Sequence, residues 1–330
     1  MRVLAATDKF RGTATGAEAA AAICRGVVRA GGTATALPLA DGGEGTLEVL
    51  GGGNRTTMVM GPLGDPVEAS WRLSRRTAII EMARASGLAL VGGPDGNDPI
   101  AAATHGTGEL IAAALDAGAR RILVGMGGSA TTDGGLGAIR AVFTPGRLRG
   151  LELIAACDVR THFVDAAEVF APQKGATPAQ VQLLKRRLAR LAQVYVDDYG
   201  VDVLDLEGGG AAGGLAGGLA VLGARLVSGF DVIADELHLD DRIAEVDLVI
   251  TGEGFVDAQS FEGKVVGGVA ALAAEAGVPV LAIAGEVFDE AESKVPTVSL
   301  VEQFGRDRAL TDPAGCIEEA VYDWIKTSTS

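Results

Sequence analysis

The sequence predicts an α/β protein. The two ends of the chain together build a doubly wound parallel-sheet domain, and the middle forms a second α/β domain inserted between them. Three observations predict this. From Arg2 to Leu50, apolar runs alternate with helical stretches in the order strand, helix, strand, helix. From Thr56 the texture changes to two apolar runs about a Gly/Pro turn, the signature of a hairpin. From Asp247 the alternation of strand and helix resumes and continues to the C-terminal helix. The seams are expected near 60 and 245, which gives one domain from 1–60 with 245–330 and an inserted domain over 61–244.

The elements follow in order. Arg2 to Ala6 is a strand ending in Thr7-Asp8-Lys9-Phe10-Arg11-Gly12-Thr13, and Thr15 or Gly16 opens a helix to Arg29. Thr33 to Leu39 is a second strand; it ends in Ala40-Asp41-Gly42-Gly43-Glu44-Gly45-Thr46 before a short helix. The hairpin pairs 57–60 with 67–73 around Gly61-Pro62-Leu63-Gly64-Asp65-Pro66, and Thr77 to Met82 is a further strand. Thr107, as a cap, opens a helix to Ala117. Arg121 to Val124 is a buried strand, and Leu136 to Val142 is a helix. Leu151 to Ala156 is a strand ending at Cys157-Asp158. Thr177 and Pro178 supply the cap and first-turn proline of a long charged helix towards Tyr195. Val201 to Leu206 reads as a strand, and an apolar helix follows the glycines and runs to Leu226. Asp247 to Thr251 is a strand ending in a loop over 252–257. Lys264 precedes a helix to Ala276, then come strands at 278–284 and 297–301 and a last helix from Asp312-Pro313.

Composition narrows the function. The net charge of −15 argues against nucleic acid or an anionic membrane as partner. Glycine, at 48 of 330 residues, is about twice the usual share of roughly 7%, and it clusters at the ends of apolar runs, as in a protein with many backbone-lined turns. Cys24, Cys157 and Cys316 are far apart and make neither a CxxC nor a disulfide framework, which fits a reducing compartment. The start, MRVLAATDKF, reaches charge at Asp8 and Lys9, too early for a signal-peptide core. No apolar run approaches the roughly 18 residues of a spanning helix. A cytoplasmic protein is expected. A homodimer stays open, because nothing in the residues sets an oligomeric state.

The most informative stretch is Gly125 to Gly137, GMGGSATTDGGLG, between a buried strand and a helix. Such a turn presents backbone N–H groups at a positive helix end, which suits an anion. Ser129, Thr131 and Thr132 add hydroxyls and Asp133 a carboxylate that could hold Mg²⁺. The alternative is an ordinary connection, with glycines for the turn and Thr or Asp as helix cap. No GxxxxGK[ST] phosphate loop and no GxSxG nucleophile elbow occurs. Gly208 to Gly213 matches GxGxxG and admits a dinucleotide-binding reading; close helix packing accounts for the same glycines. His105, His162 and His238 share no metal-ligand spacing, and no histidine pairs with Ser129.

Acid beside glycine recurs at strand ends: Asp8, Asp41 with Glu44, Asp133, Asp158, and Glu253 with Asp257. Lys9, Arg11, Lys174 and Lys264 lie nearby in sequence. Phosphoryl transfer needs this mixture: carboxylates for metal and for the acceptor's proton, cations for the equatorial oxygens, and amides to cradle phosphates.

With these residues in view, the chain resembles the bacterial glycerate kinase family of the two-domain type, as a shortened variant. The matching motifs are ATDKFRGT (6–13), PLADGGEGT (38–46), GPLGDPV (61–67), THGTGELI (104–111), GMGGSATTDGG (125–135), ACDV (156–159), FAPQKGAT (170–177), GGGAAGGLAGGL (208–219) and TGEGFVDAQSFEGK (251–264). They run in family order over nearly the whole chain. The resemblance implies a Rossmann-like domain from the chain ends, the cofactors ATP and Mg²⁺, and phosphorylation of D-glycerate to phosphoglycerate, with the 2-position favoured. It departs from the family pattern in a short segment between Gly135 and Leu151, in Arg160 to Asp165 after Asp158, in Phe255 where arginine is common, and in Arg11 where lysine is common.

The expected catalytic residues are Asp158, Asp8, Lys174 and Arg11, with Asp158 or Asp8 as base. Gly127, Gly128, Ser129, Thr131, Gly42, Gly43, Glu44 and Lys264 are expected to bind the nucleotide or phosphate, and Asp133, Glu253 and Asp257 the metal. The alternatives are a catalytically altered relative that acts on another small hydroxy acid or only binds ligand, and a dinucleotide oxidoreductase built on Gly208 to Gly213.

Overall fold

The computed structural model describes residues 1–10, 12–142, 148–257, 260, 264–288 and 295–328. Its strands are β1 (Arg2–Thr7), β2 (Thr33–Ala36), β3 (Arg55–Met60), β4 (Pro66–Ser74), β5 (Thr77–Glu81), β6 (Arg121–Gly125), β7 (Glu152–Ala156), β8 (Arg225–Val227), β9 (Leu248–Val256), β10 (Val280–Val287) and β11 (Thr297–Ser299). The chain divides into two compact units, Met1–Asp41 with Phe230–Ser330, and Gly42–Gly229.

The first unit holds a parallel sheet in the order β11-β10-β9-β1-β2. Val3, Ala5, Ile250 and Ile283 pack with Ile23 and Ile317 of helices Gly16–Arg29 and Pro313–Ser328. Gly26 lets these helices close up, since a Cβ there would stand 2.6 Å from the Glu318 carbonyl. Thr15 and Glu18 form a full capping box at the first helix. β9 runs to Val256, so most of the loop expected at 252–257 is strand, held by pairing with β10 out to Val256↔Val287. β2 ends at Ala36 rather than Leu39.

The second unit holds a mixed sheet in the order β3-β4-β5-β6-β7-β8. β3, β4 and β5 are antiparallel neighbours, and β5 to β8 are parallel. The expected hairpin is present, with Met58 opposite Glu68. Helix His105–Asp116 starts two residues before Thr107, and Pro178–Tyr199 continues past Tyr195 to a left-handed Gly200. The stretch 201–206 is not a strand. The apolar helix after it ends at Val221, and Arg225–Val227 is a strand on β7. An all-apolar run reads alike in either conformation, and here the free edge of β7 decides.

The seams fall at 41/42 and 229/230, not near 60 and 245. β3 pairs along its whole length with β4, which takes 42–60 into the inserted unit's sheet. Phe230 packs against Gly268 of helix Val265–Ala276, which draws the chain from 230 onward into the first unit.

Candidate active site

In the second unit, the loops that leave β6, β7 and β8 sit at the carboxyl ends of parallel strands, where open α/β sheets bind ligands. The loop 42–46 lies against them. Met126 N–H is shared between the carbonyls of Gly42 (3.0 Å) and Ala156 (3.2 Å). A Cβ on Gly125 would stand 2.6 Å from the Gly42 carbonyl, and one on Gly127 2.6 Å from Gly43 Cα. Only glycine permits backbone to run on backbone here. Gly42, Gly43, Glu44, Gly127, Gly128, Ser129, Thr131, Asp133, Asp158 and Lys174 all belong to this unit. The amides of Gly127 and Gly128 donate to no acceptor among the described residues.

Lys174 is buried, at 3% exposure. Its Nζ donates to Ser129 Oγ at 2.6 Å and to the Thr131 carbonyl at 2.7 Å. Burial pushes its ammonium down to about 7, against the opposing pull of Asp133. Asn97 fastens the same neighbourhood: its Nδ2 donates to the carbonyls of Ala130 (3.0 Å) and Lys174 (2.9 Å).

Asp133 is committed to the backbone. Its Oδ2 accepts from Thr104 N (2.9 Å), Thr104 Oγ1 (2.8 Å) and Gly137 N (3.1 Å), and its Oδ1 from Gly135 N (3.1 Å). The amides that open helix Leu136–Val142 are therefore spent on Asp133, as in the capping alternative. Asp158 Oδ1 accepts from Gly229 N at 2.8 Å and from Ser228 Oγ at 3.4 Å. Burial, and then the Asp158 charge, push the neighbouring Cys157 thiol up to about 11.

Sequence reasoning missed Glu81 and Asn97. Glu81 is 2% exposed at the end of β5. Its Oε1 accepts from Gly45 N and Leu47 N, both at 2.9 Å, and Oε2 takes Arg84 Nε at 3.0 Å. It holds the loop 42–46 as an internal counter-group. The available signal was an acid closing the apolar run TAIIE with Arg84 three residues on.

Asp8, Glu253, Asp257 and Lys264 belong to the first unit. Asp8 follows β1, with its N–H on the Gly252 carbonyl at 3.0 Å and its Oδ1 accepting from Lys9 N at 2.7 Å. Glu253 sits inside β9, and its Oε1 is buried with no hydrogen-bond partner among the described residues. Its carboxyl is pushed up to about 7, chiefly by burial; Asp8 and Asp257 add to this, while the Ser260 hydroxyl and Lys264 oppose it. Asp257 Oδ1 accepts from Ser260 N at 2.8 Å and Ser260 Oγ at 3.2 Å. Arg11 lies outside the described residues.

A buried carboxylate oxygen with no donor among the described residues, beside two further carboxylates, is hard-oxygen chemistry that fits Mg²⁺. Among the described residues no three His, Cys, Asp or Glu side chains form a ready-made metal cage, so most ligands of such an ion would be water or phosphate oxygens.

The dinucleotide reading of Gly208 to Gly213 is overturned. No strand precedes it, and the glycines serve contact. A Cβ on Gly210 would stand 2.4 Å from the His162 carbonyl, and one on Gly213 1.9 Å from the Thr131 carbonyl. His105 begins its helix, with Nε2 3.6 Å from Glu109 Oε1.

A model of the glycerate kinase family matches residues 3–144 and 143–322. The chain belongs to the glycerate kinase family. It is thus a kinase that transfers phosphate to an alcohol group. It is 38% identical to "Glycerate 2-kinase" of Escherichia coli K12, over 98% of this chain and 95% of that one. It is 41% identical to "Glycerate kinase" of Bacillus subtilis 168, over 87% and 85%. A crystal structure of a Salmonella typhimurium LT2 protein assigned as glycerate kinase 2 superposes with a TM-score of 0.84 at 36% identity, covering 100% of this chain and 98% of the other. The two family segments meet at 143–144, inside the region read as shortened. No helix among the described residues is long and apolar enough to cross a membrane.

Proposed function

We propose that this glycerate kinase family member uses ATP and Mg²⁺ to phosphorylate D-glycerate at the 2-hydroxyl, giving 2-phosphoglycerate and ADP. The bond between the γ-phosphorus and its bridging oxygen breaks, the substrate oxygen bonds to that phosphorus, and the hydroxyl proton passes to a carboxylate. The 2-position is favoured by the relative that carries it in its name. The observation that carries the metal assignment is the buried Oε1 of Glu253, which has no hydrogen-bond partner among the described residues.

In this reading Glu253 and Asp257, with Asp8 beside them, hold Mg²⁺, which neutralises phosphate charge when bound. Asp158 takes the acceptor's proton; Asp8 is the other candidate. The Gly127 and Gly128 amides, Gly42, Gly43, Glu44, Ser129 and Thr131 cradle phosphate or the substrate carboxylate. Lys174 gives that neighbourhood its cation, and an arriving anion would draw a proton onto it. Lys264 and Arg11 serve the phosphates. Asp133 keeps the turn in shape and is a poorer metal ligand than the sequence suggested, since four donors already occupy it. The proposed setting is the cytoplasm.

The test is ADP release by the purified chain with ATP, Mg²⁺ and D-glycerate, with phosphorus NMR identifying the product. Acid-dependent ADP release with 2-phosphoglycerate as product supports the reading. The departures at 160–165 and the family-match junction at 143–144 favour one second reading, action on another small hydroxy acid. Release with such an acid but not with D-glycerate would establish it.

A further inference from the structure

The second unit contains a cavity of about 510 Å³ beside helix Pro178–Tyr199 that the phosphotransfer reading does not use. That volume falls within the roughly 300–1,000 Å³ of small-molecule sites. Its walls are apolar: Leu184, Leu188, Leu191 and Val194 from the helix, with Ile100 and Leu136 opposite. Besides the Asp133 carboxylate, which four hydrogen bonds already occupy, two polar features interrupt this lining.

The first is Thr132, 2% exposed, whose hydroxyl oxygen is buried with no partner among the described residues. That oxygen has almost no accessible surface, so Thr132 meets an occupant of the cavity through its other atoms. The second is a cationic rim. Arg186, Arg187 and Arg190 all line the cavity, in a chain of net charge −15. None of the three has an acidic partner at ion-pair distance among the described residues, and Arg187 is steadied by a bond from Nη1 to the Ile100 carbonyl at 3.1 Å. Three guanidiniums at the mouth of an apolar hollow select an anionic head on an apolar body.

We propose that this cavity is a binding site for a small amphipathic organic carboxylate, its tail among the leucines and its carboxylate at the arginine rim. The site is separate from the Ser129–Lys174 neighbourhood yet shares its loop, because Thr132 and Asp133 line the cavity while Thr131 holds Lys174. An occupant therefore bears on the loop from its other side.

Isothermal titration of the full chain with octanoate tests the proposal. One octanoate per chain is expected. The cavity-filling Leu191→Trp should weaken binding at least tenfold while the circular dichroism spectrum and melting temperature hold. Arg186→Ala together with Arg190→Ala should weaken octanoate about tenfold and leave the neutral octan-1-ol unaffected. Absence of binding to the unmodified chain, or affinity unchanged by both variants, would overturn the proposal. So would competitive displacement by ATP, which would make the cavity part of the nucleotide site.

Discussion

Lys174 Nζ lies 2.6 Å from Ser129 Oγ, with both side chains buried and the Thr131 carbonyl as the second acceptor. In the sequence no histidine pairs with Ser129. The structure supplies a lysine 45 residues away, with its charge suppressed by burial.

That burial has a sign in the stability profile. Lys174 is lowered from 10.5 to about 7, so between those values the unfolded chain binds the extra proton and stability rises with pH. The slope for one such group is at most about 1.4 kcal/mol per pH unit. Denaturant midpoints measured from pH 7 to 9.5 should climb for the unmodified chain relative to Lys174→Met. Parallel profiles would remove the buried-proton account.

Glu253 runs the other way. Its carboxyl is raised from 4.5 to about 7, so over that window the folded state keeps a proton the unfolded one has lost, and its contribution to stability falls as pH rises. If the carboxylate holds Mg²⁺, the Mg²⁺ concentration giving half-maximal activity should drop as pH passes through about 7. Glu253→Gln should require at least tenfold more Mg²⁺ at pH 8 while melting no lower than the unmodified chain. A Gln variant with an ordinary Mg²⁺ requirement would refute the assignment.

Asp133 should behave as a structural brace. Asp133→Ala strands the Thr104, Gly135 and Gly137 amides and should cost about 2–4 kcal/mol, read by chemical denaturation. Mg²⁺ dependence in whatever protein remains folded should be unaltered. A shifted Mg²⁺ requirement with unchanged stability would return Asp133 to the metal.

Gly213 sits at φ +70°, and a Cβ there would fall 1.9 Å from the Thr131 carbonyl, the acceptor of Lys174. Gly213→Ala should destabilise by more than about 3 kcal/mol, from left-handed strain plus overpacking. Gly223→Ala, also left-handed but with open space around it, provides the comparison and should cost only about 1 kcal/mol. Equal losses in the two variants would mean that the Thr131 contact carries no weight.

Much of this was legible in the sequence because its signals are local. Thr15, and Thr177 with Pro178, mark helix starts by chemistry local to the first turn, and both threonines cap their helices. The hairpin turn at Gly61 to Pro66 sets its own register. The misses depend on distant partners. β8 is a strand only because β7 offers an edge, and 252–256 of the expected loop is strand because β10 runs beside it. Glu81 and Asn97 gain meaning from backbone groups 33 to 77 residues away. The seams moved because β3 found its partner within the insert.

Gly42 and Gly229, the first and last residues of the inserted unit, nearly touch: a Cβ on Gly42 would stand 2.7 Å from Gly229 Cα. A segment whose entry and exit coincide can be spliced into a host chain without stretching it, because the host gap is already closed. Residues 42–229 thus have the geometry of a cassette, one that a gene could acquire, lose or exchange whole while the flanking strands keep their places.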